Sequence, residues 1–305
     1  MTVEILTPRE VPLGGLRAMS VRRTLPQRDR SLIGAWCFLD HYGPDDVAET
    51  GGMMVTPHPH TGLQTVSWLF TGEVEHTDSA GNHAMVRPGE LNLMTAGRGI
   101  SHSEVSTPET TTLHGAQLWV ALPEGQRFCD PGFEHYAPPA AGGHRWSARV
   151  FLGSMFGSTS PVVTATPLLG VELLLEPTAR LVVPVDTTYE HGLLLDTGDL
   201  TIDGQPVKKD ELAYAAPGAT ALTLTSEDGA RVLLLGGPPF GEQIVMWWNF
   251  VGRTDEEIRT FREQWQGQIT EDGLGILDGQ FGIVAGGLQP IPAPVMPALR
   301  LKPRG

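Results

Sequence analysis

Between residues 34 and 123 the apolar positions fall in short runs broken by turn residues. Residues 65–70 (TVSWLF), 71–76 (TGEVEH), 84–89 (AMVRPG), 91–94 (LNLM) and 118–123 (LWVALP) read as strands. Gly72, 80–82 (AGN), Pro88-Gly89 and 97–99 (GRG) mark the turns between them. Short strands at this spacing predict a sandwich or barrel. A second run of the same kind occupies 173–235. Within it, 193–204 (LLLDTGDLTIDG) follows the rhythm of 68–76 (WLFTGEVEH): apolar strand, Thr-Gly-acid turn, second strand. Likewise 216–221 (APGATA) echoes 96–101 (AGRGIS). We read these as a weak duplication of one barrel unit.

One helix announces itself. Thr254 and Glu257 have the spacing of a capping box, and Ile258, Phe261 and Trp265 follow at helical spacing. The pattern predicts a helix over about 255–266, then a Pro-rich, extended tail after Leu288. The stretch 137–143 (APPAAGG) reads as a hinge. The expected organisation is therefore an N-terminal barrel over 1–136 and a C-terminal barrel, capping helix and tail over 137–305.

The chain's 305 residues suit two such domains, and 37 Gly with 25 Pro suit many tight turns. A net charge of −14 opposes a phosphate backbone. The densest basic stretch (Arg17, Arg22, Arg23, Arg28, Arg30) lacks interleaved aromatics and reads as solvated surface, so no direct nucleic-acid partner is expected. Cys37 and Cys129 are too few for a disulfide framework or a thiolate zinc site. The first residues lack a basic stretch followed by an apolar one, and no apolar run approaches about 18 residues. The expectation is a cytoplasmic protein without a membrane partner.

Two short constellations could carry chemistry. In His58-Pro59-His60 the imidazoles stand at i and i+2, hence on one face of a strand, and Pro59 suits an edge or bulge. His102-Ser103-Glu104 repeats the spacing. At this composition neither pair means much alone. Gly52, Gly62, Gly72 and the Gly97-Arg-Gly99 turn frame them, and a small antiparallel barrel lets such strands converge on one interior.

Gly52, five residues, His58-x-His60 and then Gly72 resembles the first motif of the cupin superfamily. The stretch 87–104 (RPGELNLMTAGRGISHSE) more specifically resembles the pirin family. So do 58–62 (HPHTG), 72–79 (GEVEHTDS), 117–123 (QLWVALP), 241–245 (GEQIV) and 254–258 (TDEEI). The resemblance runs from about Phe38 to about Gln266 and is stronger in the first half.

It implies an all-β fold of two tandem cupin (jelly-roll-like) β-barrels with few short helices. It also implies one metal in the N-terminal barrel, on His58, His60, His102 and Glu104. Gln64 stands where many cupins place a metal-binding Glu. It shares strand parity with His60, so a hydrogen bond from Gln64 to a ligand is expected. In the second half the matching positions are near Pro184 and Asp186, so no metal is expected there.

Three imidazoles and a carboxylate suit Fe(II), Mn(II), Ni(II), Co(II) or Cu(II), with Fe(II) the leading expectation. In an octahedral ion two positions would stay open, room for a chelating enolate or phenolate beside O2. The pirin resemblance implies ring-opening of a flavonol such as quercetin, with Glu104 as the catalytic base for the substrate hydroxyl. The partners would then be an aromatic small molecule and O2. The alternative reading is a metal- and redox-sensing regulator that binds a transcription factor or metabolic enzyme.

His41, His76, His83, His114, His135, His144 and His191 lie outside the motifs and read as structural or solvent-facing. Trp36, Trp68 and Trp119 read as barrel core, and Trp247 and Trp248 as core packing in preference to an interface anchor.

Overall fold

The computed structural model describes residues 3–13 and 19–305, so Arg17 of the basic stretch lies outside the described residues. The chain forms two compact units, each a β-barrel, and only two helices occur among the described residues.

One unit comprises Tyr136–Phe240 with Met1–Glu10 and Arg22–His41. Its larger sheet orders the strands Glu4–Leu6, Leu212–Ala215, Glu190–Gly198, Ala230–Gly237, Leu169–Leu175, Trp146–Leu152 and Ala140–Gly143, all antiparallel. The smaller one orders Ala179–Pro184, Ala221–Ser226, Leu200–Ile202 and Gln205–Val207. Alternate positions build the core: Leu193 and Leu195 pack with Val171, Leu173, Val183, Val232 and Leu234, all buried. Each such side chain contributes about 1.5–3 kcal/mol by leaving water. The Thr-Gly-acid turn closes on Gly198 at φ 85°, where a Cβ would stand 1.8 Å from Gly229 O; only glycine fits.

The other unit comprises Val11–Val21, Tyr42–His135 and Gly241–Gly305. Its four-stranded sheet runs Met54–His60, Ile100–Ser106, Val74–Asp78, His83–Val86. Facing it, Gly132–Tyr136, Leu91–Thr95, Leu63–Thr71 and Thr112–Ala121 lie side by side in a second sheet. Thr254 caps the helix Asp255–Gln268 by accepting from Glu257 N at 3.1 Å, while the Glu257 carboxylate accepts from Arg253 N at 2.7 Å. Ile258, Phe261 and Trp265 form the buried stripe that the spacing predicts, packed with Val245, Phe250 and Phe281.

The two units differ from a cut at 136/137, because their ends are exchanged. The first ten residues cluster with the C-terminal barrel through Glu4–Leu6, which adds an edge strand to Leu212–Ala215. The helix and tail cluster with the N-terminal barrel. Nor is 137–143 a free hinge: Ala140–Gly143 pairs with Trp146–Leu152. The tail after the helix has no helix or named strand, and it is tied down by Ile291 N donating to Pro57 O at 2.8 Å. No helix among the described residues is long and apolar enough to cross a membrane.

Candidate metal centre

The strand Ile100–Ser106 is the middle of the site. On one side His102 stands opposite His58 and Ile100 opposite His60; on the other, His102 stands opposite Asp78 and Glu104 opposite His76. Strand parity therefore gathers His58, His60, His102, Glu104 and His76, all buried, on one interior face. The rings of His58 and His60 are 5.0 Å apart, those of His58 and His102 4.3 Å, and those of His60 and His102 5.0 Å. Two overlapping donor groups result, His58–His60–His102 and His76–His102–Glu104, each with its donor atoms within 4.8 Å of one another. A bulge between His102 and Glu104 shifts the pairing, so Glu104 stands opposite Val55 and joins the second group.

Hydrogen bonds fix the proton positions. His58 Nδ1 lies 2.9 Å from Thr56 O and His60 Nδ1 3.1 Å from Asn249 O. A carbonyl can only accept, so both Nδ1 atoms carry the proton and both Nε2 lone pairs are bare. Asp78 likewise accepts from His76 Nε2 at 3.3 Å. Burial pushes the Asp78 carboxyl up, but hydrogen bonds from His76 and Asn82 more than offset this and hold it below its usual range. His102 Nδ1 lies 3.3 Å from His76 Nδ1, so one of the two donates to the other. His102 Nε2 faces His60 Nε2 at 3.1 Å.

Burial holds all three imidazoles neutral. It pushes His58 down to about 4, and it pushes His60 and His102 well below the ordinary value, with like-charge repulsion among the rings adding to it. Glu104 is raised by burial, against the pull of His76 and the Ser67 hydrogen bond at 3.0 Å. Ser67 Oγ is also 3.0 Å from the Gln117 side-chain amide. The bare Nε2 lone pairs of His58 and His60 converge with His102, and Glu104 shares a donor group with His102. The donor set fits a cation of intermediate softness.

Three features lay beyond the sequence reading. His76, read as structural, is inside the site; the signal available was that His76-Thr-Asp78 is a third i, i+2 pair of titratable groups. Asn249, 189 residues from His60, supplies its carbonyl from the turn between the strands Val245–Trp247 and Phe250–Gly252. Gln64 does not reach a histidine: its amide nitrogen donates to Thr95 Oγ1 at 2.9 Å, and its Oε1 has no partner among the described residues. The turn at Thr61-Gly62, with Gly62 at φ 69°, separates the two strands and resets the parity between His60 and Gln64. Trp36 and Trp68 are core, as expected, and Trp119 is buried with its ring edge-on to His60 at 5.2 Å. Trp247 and Trp248 are half-buried against the helix cluster.

Residues 18–120 match the Pirin family model and residues 170–269 that of the pirin C-terminal cupin domain. A Pseudomonas aeruginosa protein, named provisionally as a quercetin 2,3-dioxygenase, is 44% identical over 90% of this chain and 87% of its own. A pirin-like protein of Caulobacter vibrioides is 36% identical over 81% of this chain and 88% of its own. The crystal structure of a quercetin 2,3-dioxygenase from Acinetobacter baumannii superposes with a TM-score of 0.90 at 38% identity, covering 98% of both chains. With both barrels matched and relatives of this similarity spanning most of its length, the chain belongs to the pirin family.

Proposed function

We propose that this chain is a metal-dependent dioxygenase that opens the ring of a flavonol such as quercetin. His58, His60, His102 and Glu104 would hold one divalent transition metal, Fe(II) by preference. The observation that carries the reading is the convergence of three buried imidazoles, two of them with an Nε2 lone pair left bare by a carbonyl on the far side of the ring. The activity for which the Pseudomonas and Acinetobacter relatives are named supports the substrate class.

When bound, the ion supplies a Lewis acid and a template for a chelating oxygen pair and O2. The protein does the rest. Thr56, Asn249 and His76 hold the imidazoles in register, so the site is organised before substrate arrives. Glu104, made more basic by burial, takes the proton of the substrate hydroxyl, and Ser67 steadies the carboxylate. The edge of Trp119 and the ring of Phe133, 4.9 Å from His76, shield the rings from water.

The test is oxygen uptake on adding quercetin to protein reconstituted with Fe(II), Mn(II), Ni(II), Co(II) or Cu(II), with His58→Ala and Glu104→Ala as controls. Uptake that needs the metal and both side chains supports the reading. Metal-loaded protein that consumes no oxygen with any flavonol overturns it.

A further inference from the structure

The barrel formed around Tyr136–Phe240 holds a cavity of about 500 Å3 that the proposed oxygenase chemistry does not use. Superposing the turns 71–73 (TGE) and 197–199 (TGD) in sequence places Pro184 and Asp186 where His58 and His60 stand, and both line this cavity. It therefore occupies the place in its barrel that the histidine cluster occupies in the other, but with different chemistry.

His191 also lines it. This residue is 1% exposed, and neither ring nitrogen has a hydrogen-bond partner among the described residues. Its parity is that of Leu193 and Leu195, so it points into the barrel at the end of the apolar core. The cross-strand neighbours are Gly236 and Ala215, and a Cβ on Gly236 would come within 3.1 Å of His191 Cδ2. The fold thus makes room for a ring whose polar atoms gain nothing from the fold itself. Buried polar groups left in this state are costly to retain.

The other walls define what could satisfy it. The hydroxyls of Ser154 and Thr159 bond each other at 2.9 Å, Ser160 Oγ accepts from Val162 N, and Thr164 Oγ1 donates to Thr166 O. Asp186 spends Oδ1 on Thr188 N and Thr188 Oγ1, bonds that hold its carboxyl below the usual range and keep it ionised. No Lys or Arg lines the cavity. An anionic ligand would meet Asp186 without a counter-charge. A metal ion would find too few donors, since no group of three lies here among the described residues. Met155, Phe156, Leu169 and Tyr189 offer apolar surface, with the Tyr189 ring stacked 6.1 Å from His191. Burial keeps His191 neutral, so it presents one donor and one acceptor, the complement of a hydroxyl group.

We propose that this cavity binds an uncharged, hydroxyl-bearing aromatic molecule, with its hydroxyl exchanging hydrogen bonds with His191 and its ring against Phe156 and Tyr189. The half-buried Tyr189 ring shifts aside to admit it. The inference stands independently of the activity proposed for the other barrel.

Phenol, benzoate and benzylamine, one ring size with three charges near neutral pH, are the probes. Binding is read from the His191 ring resonances and by calorimetry, on the full metal-loaded chain. Phenol should bind saturably and shift the His191 signals, with benzoate at least tenfold weaker, and benzylamine too because an ammonium group has no acceptor for the His191 N–H. His191→Phe, which keeps a ring in the space but removes both nitrogens, should weaken phenol at least tenfold. The proposal is overturned if phenol shows no saturable effect on His191 in the unsubstituted protein. It is equally overturned if His191→Phe binds phenol unchanged, or if either charged probe matches phenol. The resonance measurement needs no variant, so a folding failure of His191→Phe leaves the proposal falsifiable.

Discussion

The Nδ1 atoms of His76 and His102 stand 3.3 Å apart on adjacent strands, with Asp78 behind His76. Asp78 accepts from His76 Nε2, and His76 in turn orients the His102 ring. The far nitrogen of that ring, His102 Nε2, is directed at His60. Removing His76 frees the His102 ring to turn. We expect His76→Ala to lower metal affinity about 10- to 100-fold, the range for loss of a partner that orients a ligand. Asp78→Asn should act in the same direction. Competitive metal titration against a chromophoric chelator measures both.

Ser67 should tune Glu104. Its hydroxyl lies 3.0 Å from the carboxylate and pulls down a carboxyl that burial pushes up. Ser67→Ala therefore raises Glu104 further. In the metal-free protein, carbon NMR of labelled Glu should show the Glu104 carboxyl titrating at higher pH in the variant than in the parent. A shift in the other direction would mean that Ser67 donates to Gln117 instead.

The ligand candidates were legible because i, i+2 parity is a local property: two residues of sequence fix the face. What joined them was not local. His76 enters through its register opposite Glu104, and Asn249 through the turn of a distant hairpin, Val245–Trp247 with Phe250–Gly252. Gln64 was misread because a turn at Gly62 interrupts the strand, and parity does not carry across a turn. The exchanged ends escaped the pattern for the same reason. The strand Glu4–Leu6 reads alike whichever barrel it completes, and only its pairing with Leu212–Ala215 assigns it. By contrast the helix Asp255–Gln268 carries its cap and its buried stripe within its own residues.

A buried ion pair outside both sites makes a stability prediction. Asp196 is fully buried, 2.7 Å from His41 Nε2 and 3.2 Å from Arg231 NH1. Asp196→Ala removes the anion and leaves the buried His41 without that partner, so the loss should be large, about 3–5 kcal/mol. Denaturant unfolding should show a lower midpoint with an unchanged slope.

Acid should weaken the C-terminal barrel through His191. Burial holds its imidazole down at about 4, with only a small opposing pull from Asp186. In the unfolded chain the same ring takes up its proton near the ordinary value of about 6.5. Between these two pH values the unfolded state binds one more proton than the folded one, so stability falls as pH falls. The contribution is complete above about 6.5 and is lost as pH drops through the folded value. Each pH unit in that window costs about 1.4 kcal/mol from this group. His191→Phe has no such proton to take up, so its unfolding free energy should fall less steeply from pH 6.5 to 4.5, while above pH 7 the gap between variant and parent should be constant. Urea unfolding at pH 4.5, 5.5, 6.5 and 7.5 measures the difference. Parallel pH curves would mean that the folded protein protonates His191 as readily as the unfolded chain, and the ring could then not be the neutral, unpartnered group that its surroundings describe.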